Sequence, residues 1–308
     1  MATSLEIPAG GPPPVVVRGT RTESPTRRAL RRFRRHRLAM ISVIFLLLVV
    51  ILAVGAPVFG RYNPDAIRLS ATSRPPSLEH WLGTDRVGRD VWSRTIYAGR
   101  VSLLLGLAAT VLTLAIGIVI GGLSGFYGGV VDMLLQRFTD IVMAFPSIVL
   151  MLTLAVFIGP GLGNLILIIG GVSWTGVARL VRAEFLAARE RTYVDAARCI
   201  GVPGLRIVFR HILPNSLAPV IAQAAFSVGL AILTEAGLSF LGLGVPLPTS
   251  TWGNMLEAAR ELDTLSRMPW QWMPPAFMIV LTVLCVNFIG DGLRDALDPR
   301  TLLQAGRG

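Results

Sequence analysis

Five stretches of this chain carry no charged side chain and are long enough to cross a bilayer. They are Leu38 to Gly60 with 23 residues, Val101 to Val131 with 31, Ile141 to Ala178 with 38, His211 to Thr234 with 24, and Met268 to Gly290 with 23. A helix of about 20 apolar residues crosses the hydrocarbon of a membrane. The longest run contains Gly159-Pro160-Gly161-Leu162-Gly163-Asn164, a turn signal that splits it in two. The pattern therefore predicts an all-α polytopic membrane protein with six transmembrane helices, at 38–60, 102–124, 133–158, 163–182, 215–242 and 274–296.

Composition agrees with the pattern. Of 308 residues, 53% are hydrophobic and only 15% charged, with a mean hydropathy of +0.63. All 29 basic residues are Arg. The absence of Lys excludes a phosphate-binding Walker A loop, a Schiff base and a pyridoxal phosphate attachment point. Two cysteines (Cys199, Cys285) and three histidines (His36, His80, His211) lie far apart in sequence, so neither a disulfide framework nor a spaced metal site is indicated.

The arginines set an expected orientation. With six spans, both termini and the segments near 125–132 and 183–214 share one side, which holds 20 of the 29 arginines. The positive-inside rule places that side, and both termini, in the cytoplasm of a cell-membrane protein. The first span is an uncleaved anchor: its apolar stretch is too long for a signal peptide and follows some 37 residues that end in a dense basic run.

The aqueous parts read as follows. Residues 1–37 form a cytoplasmic tail, Pro/Gly/Ser/Thr-rich and without apolar period up to residue 26, then basic from Arg27 to Arg37. Lying against a hydrophobic span, the basic run suits anionic lipid headgroups rather than nucleic acid. External segments 61–100 and 243–273 are too long for turns and fold over the outer mouth, and their Tyr62, Trp81, Trp92, Tyr97, Trp252, Trp270 and Trp272 fit interfacial anchoring. The membrane-embedded core is 101–296, five of the six transmembrane helices, with a short cytoplasmic tail at 297–308.

The most informative stretch is Arg189 to Asn215. Tyr193, Ala196, Ala197 and Ile200 recur at i, i+3, i+4 and i+7, with Thr192 and Asp195 as a capping pair. Gly201 and Pro203-Gly204 stop this helix, and Leu205, Val208, Phe209 and Ile212 repeat the spacing in a second one. Pro214 leads into the fifth span. Two short helices on a bend make a knob, and its small Ala196 and Ala197 allow another protein close approach. On pattern alone, docking to a soluble partner and simple self-packing stand equal.

Here the residues resemble a known family. Asp195-Ala196-Ala197, Gly201 and His211-Ile212-Leu213-Pro214 are similar to the EAA loop of ATP-binding-cassette importer permeases, with Asp195 where Glu is usual and His211 where Ile is usual. Further fragments resemble the C-type permease of the dipeptide/oligopeptide branch. They are His80-Trp81-Leu82-Gly83-Thr84-Asp85 with Gly88-Arg89-Asp90-Val91, Gly125-Phe126-Tyr127-Gly128-Gly129, Arg137 with Asp140, Glu235 to Gly242, Trp252-Gly253-Asn254-Met255-Leu256, and Gly290-Asp291-Gly292-Leu293-Arg294-Asp295. The resemblance runs from about residue 30 to 300. It implies a type I importer permease without catalytic residues, forming half of a pathway for short peptides with a second homologous permease subunit. Two cytoplasmic ATPase subunits or domains would bind the ATP and Mg, this chain holding no cofactor or metal, and an external binding protein would deliver the solute. Tyr193, Asp195, Ala196, Ala197, Gly201, Leu205, Leu213 and Pro214 would form the coupling helix region that meets one ATPase. The same branch carries glutathione and nickel chelates.

Ionisable and polar groups inside spans mark a pathway or a buried partner. Arg137 and Asp140, three apart on span three, are expected to pair with each other. Glu235 has no local partner in the sequence, and Gln223 and Asn287 suit interhelical hydrogen bonds. Pro146 and Pro219 are expected to kink spans three and five, and the glycines of 117–129 to allow close packing and a tight turn. A secondary transporter would need an inverted repeat and midplane coupling groups, and an intramembrane enzyme would need paired carboxylates, a metal set or a Ser–His arrangement; neither pattern is found in the sequence.

Overall fold

A computed structural model describes residues 25–297. Most of the tail at 1–26, and the tail at 297–308 beyond Leu297, lie outside it. Helix α1 (Pro25–Arg35) carries the arginine run. His36 then caps α2 (Arg37–Val54), its Nδ1 accepting from the Ala39 amide at 3.1 Å. A single turn, α3 (Ala56–Phe59), leads into chain to residue 90 that is irregular apart from a 3-10 turn at Leu69–Ala71.

Helix α4 (Val91–Tyr127) is the longest element among the described residues. It starts at Val91 rather than at 102 because Asp90 caps it: Oδ1 accepts from the Ser93 amide at 2.7 Å, and Oδ2 from the buried His80 Nδ1 at 2.8 Å. The third span is two helices, α5 (Gly129–Ala144) and α6 (Ser147–Ile158), bent by 82°. Pro146 sits in the break, where its missing amide costs no helical bond. Helix α7 (Leu162–Arg189) is the fourth span, and α8 (Thr192–Cys199) and α9 (Gly204–Ile207) form the knob. A π-helical turn, Val208–Ile212, joins the knob to α10 (Leu213–Phe240), which carries Pro219 without interruption. After α11 (Trp252–Leu256) and α12 (Leu262–Arg267) comes α13 (Pro269–Leu297), which absorbs Pro274 and Pro275 near its start. Among the described residues, five helices are long and apolar enough to cross a membrane, and six spans result when the bent pair counts as one.

α4 and α7 form the spine. Gly117, Gly121 and Gly125 recur every fourth residue and let the backbones touch: a Cβ on Gly121 would lie 2.3 Å from the Ala178 carbonyl. Three apolar clusters stack along the bundle. One lies between α4, α6, α7 and α10, one beneath the knob, and one between α2, α4, α10, α11 and α13. Large apolar side chains such as Ile44, Leu47 and Ile51 on α2 remain exposed on the outer surface, as lipid-facing helices require.

The non-helical segments fold into a cap at the end opposite the knob. Trp252 is fully buried there; its Nε1 donates to the Thr95 carbonyl at 2.9 Å and its amide to Ser102 Oγ at 3.0 Å. It is a core residue of the cap and not an interfacial anchor, because α11 tucks against α4.

Candidate functional site

The knob has a clear inside and outside. Val194, Ala197, Ile207, Val208 and Ile212 are buried against Val177, Val181 and Phe185 of α7 and Val220 of α10. Outside stand Ile200 at 81% exposure, Leu205 at 56% and Tyr193 at 39%, with Ala196 and Asp195 also exposed. The expected four-residue face therefore divides: Ala197 faces in, whereas Tyr193, Ala196 and Ile200 face out. The expected Thr192–Asp195 cap is absent. The N-cap is Arg191 without a side-chain bond, and Asp195 accepts instead from Arg198 NH1 at 3.5 Å.

Gly201 makes the bend. At φ +76° it takes a left-handed conformation, with its amide donating to the Arg198 carbonyl at 2.9 Å and the Val202 amide to the Ala197 carbonyl at 3.0 Å. This is a Schellman end, which favours glycine at that position. Leu213 and Pro214 begin α10, so α9, the π-helical turn and the span form one continuous helical path, with α8 set off from it by the bend at 200–203.

The knob rests on α4, α7 and α10. Phe126 approaches Gly204 so closely that a Cβ there would lie 3.1 Å from its ring, and the Arg198 guanidinium sits 6.0 Å from the ring centre. Just beyond, Arg182 of α7 binds Asp132 of α5 in bidentate fashion, with both N–O distances 2.6 Å. Ser124 of α4 donates to the same carboxylate and accepts from Gln136 Nε2 at 2.9 Å. Three spans, α4, α5 and α7, are thus fastened to one another.

Further into the bundle, α4, α5, α6, α7 and α10 line a cleft of about 340 Å³. Its polar groups include Ser147, Ser173, Thr175, Gln223, Ser227 and Thr234. It is an open, weakly polar cleft on one side of α10, and none of its lining residues among those described is charged.

Of the five intramembrane polar residues singled out in the sequence, only Gln223 lines this cleft. Asp140 does not pair with Arg137. It accepts from Arg179 NH2 at 2.8 Å, because α7 runs beside α5 and offers a partner across the interface. Glu235 does have local partners: its Oε1 accepts from Ser239 Oγ at 2.6 Å and Thr251 Oγ1 at 2.7 Å, so it ties α10 to the cap. Asn287 lies against Gly229 of α10, where a Cβ would stand 3.4 Å from its Oδ1. The hydroxyl residues of the cleft were missed because they do not break an apolar run. Their signal was the spacing of Gln223, Ser227 and Thr234 along one face of α10.

Comparison with known proteins supplies the wider setting. Residues 117–303 match the family described as binding-protein-dependent transport system inner membrane component, and residues 24–76 match the N-terminal TM domain of oligopeptide transport permease C. The oligopeptide transport system permease protein of Bacillus subtilis is 41% identical over 272 residues, covering 88% of each chain. The dipeptide transport system permease protein of Alkalihalophilus pseudofirmus is also 41% identical, over 277 residues and 90% of each chain. Among solved structures, inward-facing MetNI methionine ABC transporter is similar at a TM-score of 0.52, covering 67% of this chain and 96% of that one. At 16% identity that likeness is one of fold.

Proposed function

Because this chain belongs to the family of binding-protein-dependent transport system inner membrane components, we propose that it forms one half of the translocation pathway of an ATP-driven importer for short peptides. Peptide is the solute because the relatives that cover nine-tenths of the chain are named for dipeptide and oligopeptide transport. The protein is a permease and not an enzyme. Its energy comes from a cytoplasmic ATPase, which binds the nucleotide and Mg, and its solute from an external binding protein. A second, homologous permease faces α10 and closes the open cleft into a channel. Both termini and the knob lie in the cytoplasm, on the side with 20 of the 29 arginines. There α1 rests on anionic lipid headgroups.

The observation that carries the reading is the continuity between the outward apolar face of the knob and α10. Ile200 and Leu205 present a surface that self-packing does not use, and the helical path that starts with Leu205's helix α9 bears Gln223, Ser227 and Thr234 on the cleft. An ATPase that closes around ATP moves the knob as a rigid piece, and α10 carries that movement to the cleft. The switch operates through differential binding of two states.

Ile200→Glu tests this. A charge on the inner Ala197 would break the knob itself, whereas Ile200 contributes little to folding. Uptake of a radiolabelled dipeptide by cells carrying the variant should fall by about tenfold or more, with unchanged membrane abundance. Uptake within twofold of the unaltered chain would overturn docking at this face.

A further inference from the structure

A rim of aromatic and basic side chains where the first span meets the cap has no part in the transport reading. Arg61 is the first charged residue after the 23 uncharged residues from Leu38 to Gly60. It therefore stands where hydrocarbon gives way to headgroups, the level at which long basic side chains settle. Its guanidinium lies over the Trp81 ring, 4.7 Å from the centre. Only Nη1 is engaged, donating to the Leu78 carbonyl at 2.8 Å and the Glu79 carbonyl at 3.3 Å. Trp81 leans in turn on Trp92, with ring centres 5.5 Å apart, and Trp92 Nε1 donates to the Phe59 carbonyl at 3.2 Å. The loop at 78–81 is thereby tied to α3, the turn that ends the first apolar run.

Arg68 repeats the arrangement. Its guanidinium lies 4.9 Å from the centre of the Tyr62 ring, and Tyr62 Oη donates to the Glu79 carbonyl at 3.2 Å. Glu79 thus gives its backbone to this rim and not its carboxylate. Arg86 and Arg89 of the same cap are each paired with an acid, Glu261 and Asp85. Among the described residues, no carboxylate pairs with Arg61 or Arg68. A guanidinium has five N–H donors in a fork that suits phosphate, and stacking on a ring leaves those at its edge available.

The apolar neighbours show what lies outside. Val58, 82% exposed, follows directly on α2, whose Ile51 and Val54 are also bare. Leu78, 92% exposed, is held beside Arg61, and Trp81 is half-exposed. Large apolar groups in the open gain only when something apolar covers them. Set among guanidinium groups without a counter-ion, they match the boundary between acyl chain and headgroup better than the surface of a soluble protein.

We propose that Arg61, backed by Trp81, binds the phosphate of a membrane phospholipid at the cap end of the bundle, with Arg68 on Tyr62 adding positive potential to the same rim. The acyl chains lie along Val58 and α2. The inference stands on the first span and the cap and uses neither the knob nor the cleft.

Tryptophan quenching tests it. None of the six tryptophans lies in α1, so the signal is blind to lipid held by the arginines of that helix. The full chain in dodecyl maltoside is titrated with phosphatidylglycerol brominated near the headgroup ends of its chains, and with diacylglycerol carrying the same chains without phosphate. Phosphatidylglycerol should quench saturably, at a concentration about tenfold or more below that of diacylglycerol, the effect of charge-assisted hydrogen bonds to phosphate. Arg61→Gln should bring the two lipids together, and Trp81→Phe should remove the larger part of the saturable quenching. The lipid comparison on the unaltered chain decides the matter even if Arg61→Gln does not fold. Inorganic phosphate at about 10 mM should leave the quenching unchanged; if it releases the lipid, the site takes a soluble anion and the assignment fails. Equal quenching by both lipids, or quenching unchanged in Arg61→Gln, also overturns it. If that variant keeps its lipid and loses dipeptide uptake, the rim meets a protein rather than the membrane. Coupling at the knob is tested separately, by the Ile200→Glu uptake measurement.

Discussion

The two ends of this molecule are held together by different physics. At the cap, hydrogen bonds and ion pairs do most of the fastening: His80 to Asp90, Thr251 to Glu235, Trp252 to Thr95, Arg89 to Asp85. At the knob, apolar contact fixes the inner face, and the outer face is left bare, with Ile200 and Leu205 in the open. A cap of that kind keeps its own shape as solute and a delivering protein come and go. A knob of that kind is rigid toward its own bundle and unfinished toward the outside, as a lever gripped by another protein must be. Polar networks specify one arrangement because each unpaired member is costly, whereas a bare apolar patch gains only when something covers it.

The largest effect should come from breaking the cap. Trp252→Ala removes a fully buried indole and its hydrogen bond to Thr95. Destabilisation of about 3–5 kcal/mol is expected, read as a lower melting temperature of the purified protein in detergent. Uptake should then follow the amount of folded protein. A normal melting temperature would show that the cap does not hold the fold together through Trp252.

A middle-sized effect should come from the fastening beneath the knob. Asp132→Ala frees Arg182 from its bidentate partner and leaves Ser124 without its acceptor. Because the pair is part-exposed, the loss should be about 1–2 kcal/mol, below the cost of a fully buried pair. Uptake should fall more than folded amount, because α7, on which the knob packs, is no longer tied to α5. If uptake falls only in step with abundance, the bridge is purely structural.

How much of this was legible in the sequence follows from what each signal measures. A charge-free run marks where lipid touches the chain, so the spans were readable, but it does not mark where a helix begins. α4 continues through Arg94 and Arg100 back to Asp90, in the cap. The bend at Gly201 was readable because few residues other than glycine hold a φ of +76°. The facing of α8 was not. Eight residues are too few for the period to choose between Ala196 and Ala197, and Val194, which chooses in the fold, lay outside the proposed stripe. Spacing of three suggested Arg137 with Asp140, but a helix neighbour across the bundle offered Arg179, and sequence distance carries no trace of that. Glu235 is the same lesson: Ser239 lies one turn away, yet Thr251 comes from a separate segment. The cleft stayed hidden because Ser and Thr pass for apolar residues in a long hydrophobic run.

The smallest effect should come from Asp195, and it sharpens the comparison most. Its carboxylate is exposed and 3.5 Å from Arg198, a pairing worth about 0–1 kcal/mol. Asp195→Ala should therefore leave the melting temperature unchanged within error. A charge at the rim of a docking face modulates association more than it holds the complex, so uptake should fall by about two- to fivefold, well short of Ile200→Glu. That ranking follows from an apolar grip on the knob. If Asp195→Ala instead abolishes uptake while Ile200→Glu is tolerated, the partner holds the knob by charge, and the contrast between a polar cap and an apolar lever fails at its own centre.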